Sequence, residues 1–278
     1  MQISADLHVH TTASDGDLRP GEIVSRAASI GLDAVAITDH DTLSGIPEAI
    51  SAGKKRGLHT IAGIEISAIF NPGTMHILGY FKTCPNGLEK DLDSVQEARR
   101  KRFPQIIEKL NALGFTITTD DVAVIAGDAQ IGRPHIAKAL INKGYVRNFE
   151  TAFSHYLAKG KPAYVDKEKL TANDALSLIL DYGGLPVLAH PFTLELEAYE
   201  LKLLVEELKN GGLMGMEIHY PEHSKAQKKL YTSIAGDLDL FATGGTDYHG
   251  PGRSAVNIGD SGIDKRSLDI MLDNFNQR

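Results

Sequence analysis

The chain holds 278 residues, 42% of them hydrophobic and 23% charged, with 27 Gly and 11 Pro, a globular composition that excludes a disordered tail protein, a collagen and a coiled coil. Its length suits one large domain, or a medium domain carrying a smaller one. With 36 acidic against 29 basic residues the net charge is −7, which argues against a uniformly basic nucleic-acid binder, and the single cysteine, Cys84, excludes a disulfide scaffold and a thiolate zinc cluster.

No apolar run approaches the roughly 18 residues of a membrane span, and the opening MQISADLHVH carries no basic-then-apolar leader. With the lone cysteine, this points to the cytoplasm. Strands are expected at 3–7, 34–38, 60–64 and 76–81, with helices over 20–30 and 44–56 between the first three. A second series places strands at 185–189, 214–219 and 240–243, with helices over 172–182, 197–210 and 221–235. Pro20 sits where a helix start tolerates a missing N–H, and Gly31, Gly57 and Gly183 follow helical stretches as C-caps do. Such alternation predicts βα units and a mostly parallel sheet. Between 86 and 168 the alternation stops and helix follows helix: 88–113, kinked or split near Pro104, then 119–125, 134–142 and 148–157. This reads as a helical insertion, residues 87–168, in a barrel-like α/β domain built from 1–86 and 169–278. Charge divides the same way: thirteen basic and eight acidic residues between 97 and 169 give +5 there, against −12 for the rest.

Six of the eleven histidines fall in a pattern with carboxylates. The first strand runs into Asp6-Leu7-His8-Val9-His10, and a spacing of two on an extended chain points both imidazoles to the same side. The second strand ends in Asp39-His40-Asp41 and the third in Gly63-Ile64-Glu65, while His76 opens the fourth. Ala189-His190-Pro191 and Thr246-Asp247-Tyr248-His249 follow, and Asp15 lies in a Ser-Asp-Gly turn just past His10. Most of these sit at the C-terminal ends of strands, where barrel enzymes build active sites. Imidazole and carboxylate without thiolate suit Zn, Mn or Fe. His8, His10, Asp15, His40, Glu65, His76, His190, Asp247 and His249 make nine candidate ligands, more than the roughly four to six donors one ion takes. Two to three divalent ions are therefore expected, each with a position open to water or substrate.

Asp6-Leu7-His8-Val9-His10-Thr11-Thr12-Ala13-Ser14-Asp15-Gly16 resembles the first motif of the polymerase and histidinol phosphatase (PHP) family, and Ile37-Thr38-Asp39-His40-Asp41-Thr42 resembles its second. Ala189-His190-Pro191 and Gly245-Thr246-Asp247-Tyr248-His249 resemble later ones. The resemblance implies a distorted (β/α)7 TIM-like barrel with a trinuclear metal centre on one face. It implies that His8, His10, Glu65 and Asp247 hold a first ion, Glu65, His76 and His190 a second, and Asp15, His40 and His249 a third. Some members have His where this chain has Asp15, and a carboxylate there tilts preference toward Mn or Mg. Mn2+ is the expected metal, with Zn2+, Fe2+ and Mg2+ as alternatives. Gly132-Arg133-Pro134-His135-Ile136-Ala137 and Gly160-Lys161-Pro162-Ala163-Tyr164-Val165 resemble the nucleotide phosphatase branch. The resemblance thus implies a hydrolase acting on nucleotide phosphate monoesters, AMP or a nucleoside 3′,5′-bisphosphate, with hydroxide as the attacking group. A 5′→3′ exoribonuclease on short RNA, a histidinol phosphatase and a non-catalytic metal-binding module are the alternatives. The expected partner is a nucleotide or a short RNA 5′ end, with no membrane and no stable DNA complex.

Further residues are candidates for the chemistry. Arg133 has the planar fork of a phosphate clamp, or caps a surface helix. His135 is a candidate to bind phosphate or protonate the leaving alcohol. Asp39, beside His40, is a proton shuttle, a support for the ligands, or a turn acid. Lys161, Tyr164 and His219 either contact substrate or lie on the surface. The basic run Arg99-Arg100-Lys101-Arg102 is a solvated helix face or a track that steers RNA.

Overall fold

The computed structural model describes residues 2–276 apart from 128, 130, 167–169, 252 and 254. Seven strands lie side by side in chain order: β1 (Ala5–Asp6), β2 (Ala34–Ile37), β3 (His59–Ala68), β4 (Met75–Phe81), β5 (Leu185–Leu188), β6 (Gly215–His219) and β7 (Phe241–Gly244). The two edges meet. Leu7 N–H donates to the Gly244 carbonyl at 3.1 Å and Asp247 N–H to that of His8 at 2.8 Å. Gly245 permits this approach, since a Cβ there would stand 2.4 Å from the His8 backbone nitrogen and Cβ. The result is a seven-stranded, nearly closed α/β barrel.

The first three strands run parallel, as do the last three, but β4 is antiparallel to both β3 and β5. The loop between β3 and β4 is too short for the helical crossover that a parallel pair needs, so the chain turns back as a hairpin. This corrects the mostly parallel expectation locally. It also lengthens β3 beyond 64, so that Glu65 stands within the strand and pairs with Leu78.

In chain order the helices of the first half are α1 (Pro20–Ser29) and α2 (Ile46–Arg56). Between β4 and β5 come α3 (Leu88–Asp91), α4 (Asp93–Ala112), α5 (Thr119–Ala126), α6 (Arg133–Asn142), α7 (Phe149–Ala152), a π-helical turn at Phe153–Leu157, and α8 (Ala172–Asp181). The last are α9 (Ala198–Asn210), α10 (Lys225–Asp237) and α11 (Lys265–Asn274). The expected break at Pro104 falls instead at Leu92, and Pro104 lies inside α4. There the Gln105 side-chain amide donates to the Lys101 carbonyl beside the proline, at 3.1 Å. Helix α10 starts four residues later than expected because Ser224 and Gln227 form a reciprocal cap.

Strand side chains alternate between two apolar layers. Val35, Ile37, Ile64 and Ile77 pack outward with the surrounding helices. Ala34, Ala36, Leu78 and Tyr80 fill the barrel interior, joined by Leu268 and Met271 of α11. A third cluster uses residues between 103 and 165 alone, with Ile106, Leu110, Ile136 and Leu140 at its centre. Among the described residues no helix is long and apolar enough to cross a membrane.

Candidate metal centre and substrate cavity

Glu65 is the hub. Its Oε1 lies 2.7 Å from His76 Nδ1, 2.9 Å from His190 Nε2 and 3.4 Å from His8 Nε2. Its Oε2 lies 2.8 Å from His40 Nδ1 and 3.2 Å from His10 Nε2. Asp247 Oδ1 adds contacts of 2.9 Å to His10 Nε2 and 3.4 Å to His8 Nε2. Asp15 Oδ1 lies 3.4 Å from His249 Nε2. The nine candidate ligands therefore converge, carried there by β3, β4 and the loops after β1, β2, β5 and β7.

These atoms form overlapping groups, each within the span of one ion: His8, His10, Glu65 and Asp247; His40, Glu65 and His76; and His10, Asp15, His40 and His249. His190 Nε2 stands 3.3 Å from His76 Nδ1 on the shared Glu65 oxygen. The first group matches the set implied by the resemblance. The others differ by giving His10 and His40 two neighbouring groups each.

The donor set fits divalent ions. His8 Nε2, both ring nitrogens of His10, His40 Nδ1, Glu65 Oε2 and Asp247 Oδ1 are shielded from solvent and make no aligned hydrogen bond, short as some of their contacts are. Buried polar atoms are almost always satisfied, so this concentration at one point calls for cations. Burial pushes the Glu65 carboxyl up, and the imidazoles of His76, His40 and His8 outweigh it and hold it well below the usual carboxylate range. Burial pushes His76 down to about 4, which leaves its ring neutral with a lone pair to donate. Burial also opposes the charge on His10, but Asp247 and Glu65 raise it to about 10. A cation entering this group therefore displaces protons.

The backbone is strained at the same place. His190, Asp247 and Asp41 have φ of 23°, 51° and 54°, a region costly for residues with a Cβ and concentrated at functional sites.

Several supports escaped the sequence reading. Glu217 of β6 is fully buried; its Oε1 meets His8 Nδ1 at 3.1 Å and its Oε2 accepts the His190 backbone N–H at 2.7 Å. A carboxylate within the apolar strand 214–219 was the available signal. Tyr220 Oη donates to Asp247 Oδ2 at 3.0 Å, leaving Oδ1 toward the histidines. Asp6 ties the two barrel edges by accepting Thr246 N–H at 3.0 Å and its hydroxyl at 2.7 Å.

Other expectations need correction. The contacts of Asp39 fit the turn acid and not the proton shuttle. Its buried carboxylate accepts Thr11 N–H, Thr11 Oγ1–H and Ser14 Oγ–H at 2.7, 2.7 and 2.6 Å, and so shapes the loop that carries Asp15. His135 does not line the cavity described below; its Nδ1 accepts Gly132 N–H at 2.9 Å at the start of α6, and burial lowers its pKa. Lys161 is exposed and outside the cavity, where Lys159 stands instead. His219 does not line the cavity either. Its strand bulges between Glu217 and His219, so the two do not share a face despite their spacing of two.

Arg133 and Tyr164 do line a cavity of about 810 Å³, together with Asp15, His40, His76 and His249. The Arg133 guanidinium lies 5.6 Å from the Phe153 ring centre and donates to the Leu157 carbonyl at 3.1 Å. From the loop after β7, Arg253 stands 4.7 Å from the Phe149 ring centre and 3.6 Å from Asp15 Oδ2. The cavity is thus lined both by residues of the metal-ligand types and by arginines with aromatic rings.

A family profile described as the PHP domain matches residues 6–180. The sequence is 32% identical to a 3′,5′-nucleoside bisphosphate phosphatase of Chromobacterium violaceum, over 91% of this chain and 90% of that protein. It is 36% identical to a 5′-3′ exoribonuclease of Haemophilus influenzae, over 88% of this chain and 90% of that protein. A crystal structure from Bifidobacterium adolescentis, described as a proposed metal-dependent phosphoesterase, shares the fold with a TM-score of 0.89 at 29% identity, covering 97% of this chain and 96% of that one.

Proposed function

This chain belongs to the PHP family of metal-dependent phosphoesterases, and we propose that it removes phosphate from nucleotide monoesters, a nucleoside 5′-monophosphate or 3′,5′-bisphosphate. The observation that carries this reading is the meeting of five imidazoles on Glu65, two of which, His40 and His76, line a cavity also lined by arginines and aromatic rings. In this reading His8, His10, Glu65 and Asp247 hold one divalent ion, Glu65, His76 and His190 a second, and Asp15, His40 and His249 a third. The carboxylate of Asp15 favours Mn2+. When bound, the ions supply Lewis acidity toward phosphoryl oxygens and a water acidic enough to attack at neutral pH.

The chain's own groups bind and orient. Arg133 offers a planar fork to two phosphate oxygens, and its stacking on Phe153 holds the fork still. Tyr220 fixes Asp247 through one oxygen, and Glu217 fixes the His8 ring. Residues 87–168 act as a cap that brings Arg133 and Tyr164 over the barrel. A volume near 810 Å³ falls in the size range of small-ligand sites, which suits a nucleotide or the end of a chain. The exoribonuclease reading is kept on the identity to the H. influenzae enzyme, and the two activities need the same groups. The lone cysteine favours the reducing cytoplasm as the place of action.

Phosphate release by Mn2+-loaded protein from AMP, adenosine 3′,5′-bisphosphate, histidinol phosphate and a short 5′-phosphorylated RNA tests the reading. The nucleotides are expected to exceed histidinol phosphate in kcat/KM. Histidinol phosphate as the best substrate, or no nucleotide turnover, would overturn it.

A further inference from the structure

Helix geometry divides the basic run 99–102. Residues three apart share a helix face, and Arg99 and Arg102 both line the cavity. Arg100 and Lys101 instead approach Glu97, at 2.7 and 4.0 Å. Arg99 is engaged: its Nε donates to Asp41 Oδ2 at 2.8 Å and its Nη2 to Ser67 Oγ at 3.3 Å, which ties α4 to the barrel.

Arg102 is different. Its Nε and Nη2 are shielded from solvent and have no hydrogen-bond partner. Its guanidinium lies 5.1 Å from the centre of the Tyr164 ring, and that of Arg133 lies 5.7 Å from the same ring. Burial and the like charges of Arg133 and Arg99 lower its pKa to about 10, against the pull of Tyr164 and Asp166. Asp166 accepts from Tyr164 Oη at 3.2 Å and only moderates this charge. A buried guanidinium with unmade hydrogen bonds beside a second one is costly unless an anion completes it.

Position separates the two arginines. Arg133 opens α6 next to Gly132, where a Cβ would stand 4.0 Å from Asp15 Cβ of the histidine cluster. Arg102 lies on α4, three residues past Arg99, with its guanidinium over the Tyr164 ring.

We propose that Arg102, beside Tyr164, binds a second phosphate of the substrate, distinct from the one held between the histidine cluster and Arg133, and so sets a preference for nucleotides with phosphate on both the 5′ and 3′ oxygens. This rests on the nucleotide reading above. The same group would accept a 3′-phosphate that is free or one that continues into an RNA chain.

Calorimetric binding to Mn2+-loaded protein tests it, using non-hydrolysable 5′-methylenephosphonate analogues of AMP, of adenosine 3′,5′-bisphosphate and of a short RNA. Arg102→Met keeps the apolar stem and removes the fork. It is expected to weaken the bisphosphate analogue by about 10- to 100-fold, the range for hydrogen bonds to a charged group, and to change the monophosphate analogue by less than about threefold. Arg102→Lys, which keeps the charge without the fork, is expected to fall between, and serves alone should the Met variant not fold. A loss in the RNA arm as well would assign the subsite to chain linkages too; a loss confined to the bisphosphate would assign it to free 3′-phosphate. Equal losses for the mono- and bisphosphate analogues, or none, would overturn the proposal. Wild-type protein that binds these analogues with an Arg102-dependent preference but releases no phosphate from the parent nucleotides would leave the subsite standing and sink the nucleotide phosphatase reading.

Discussion

Glu65→Gln is expected to abolish the activity with little change in fold. The substitution keeps the side chain's size within the β3–β4 ladder but removes the negative charge that five imidazole nitrogens approach within 3.4 Å. An amide presents one oxygen where a carboxylate presents two, so it cannot be shared between neighbouring ions. Divalent metal per chain is expected to fall by at least one ion, and phosphate release by about a thousandfold or more, the several kcal/mol that such ions contribute to a phosphoryl transition state. Metal analysis alongside kcat on a nucleotide checks this. Activity within tenfold of the unsubstituted protein, at unchanged metal content, would show that Glu65 is not the hub of the centre.

The second large effect is expected one layer further out, at Glu217. Its Oε1 lies 3.1 Å from His8 Nδ1, placed to accept a proton there and so leave Nε2, beside Glu65 and Asp247, as the atom to face an ion. Its Oε2 holds the backbone of His190, whose φ of 23° is strained. Glu217→Gln keeps the shape and removes the charge that polarises His8. Metal affinity is expected to fall about 10- to 100-fold, and excess Mn2+ should restore most of the turnover because the ligands themselves remain. Competition against a chelator of known affinity measures the shift. Unchanged affinity would mean that Glu217 only fills space between β1 and β5.

Much of this arrangement is legible in the sequence because strand ends concentrate it. The spacing of His8 and His10, of Asp247 and His249, and the placement of His40, Glu65 and His190 all report side chains delivered to one end of a barrel. What the sequence hides is set by contacts between elements. The turn between β3 and β4 decides the reversed strand, and no residue pattern within β4 announces it. Glu217 and His219 look equivalent by spacing, yet the strand bulges between them, and it is Glu217 that contacts the ligand cluster. Asp39 and His135 sit beside functional neighbours in the chain, yet their polar atoms are used by Thr11, Ser14 and Gly132 to shape loops. The run 99–102 gives its helical face geometry directly, but which face meets the cavity depends on how α4 packs. Net charge behaves similarly: the −7 total averages an acidic barrel and a basic stretch, and it is the basic stretch that supplies Arg102 and Arg133 to the cavity.

The central claim is that the histidine and carboxylate cluster works by holding divalent ions for phosphate ester hydrolysis. Its most direct measurement is nucleotide phosphate release by protein stripped with a chelator, dialysed, and then titrated with Mn2+. The account predicts no release from stripped protein and recovery only once two to three equivalents per chain are bound. Full phosphate release from protein shown to be metal-free would contradict it.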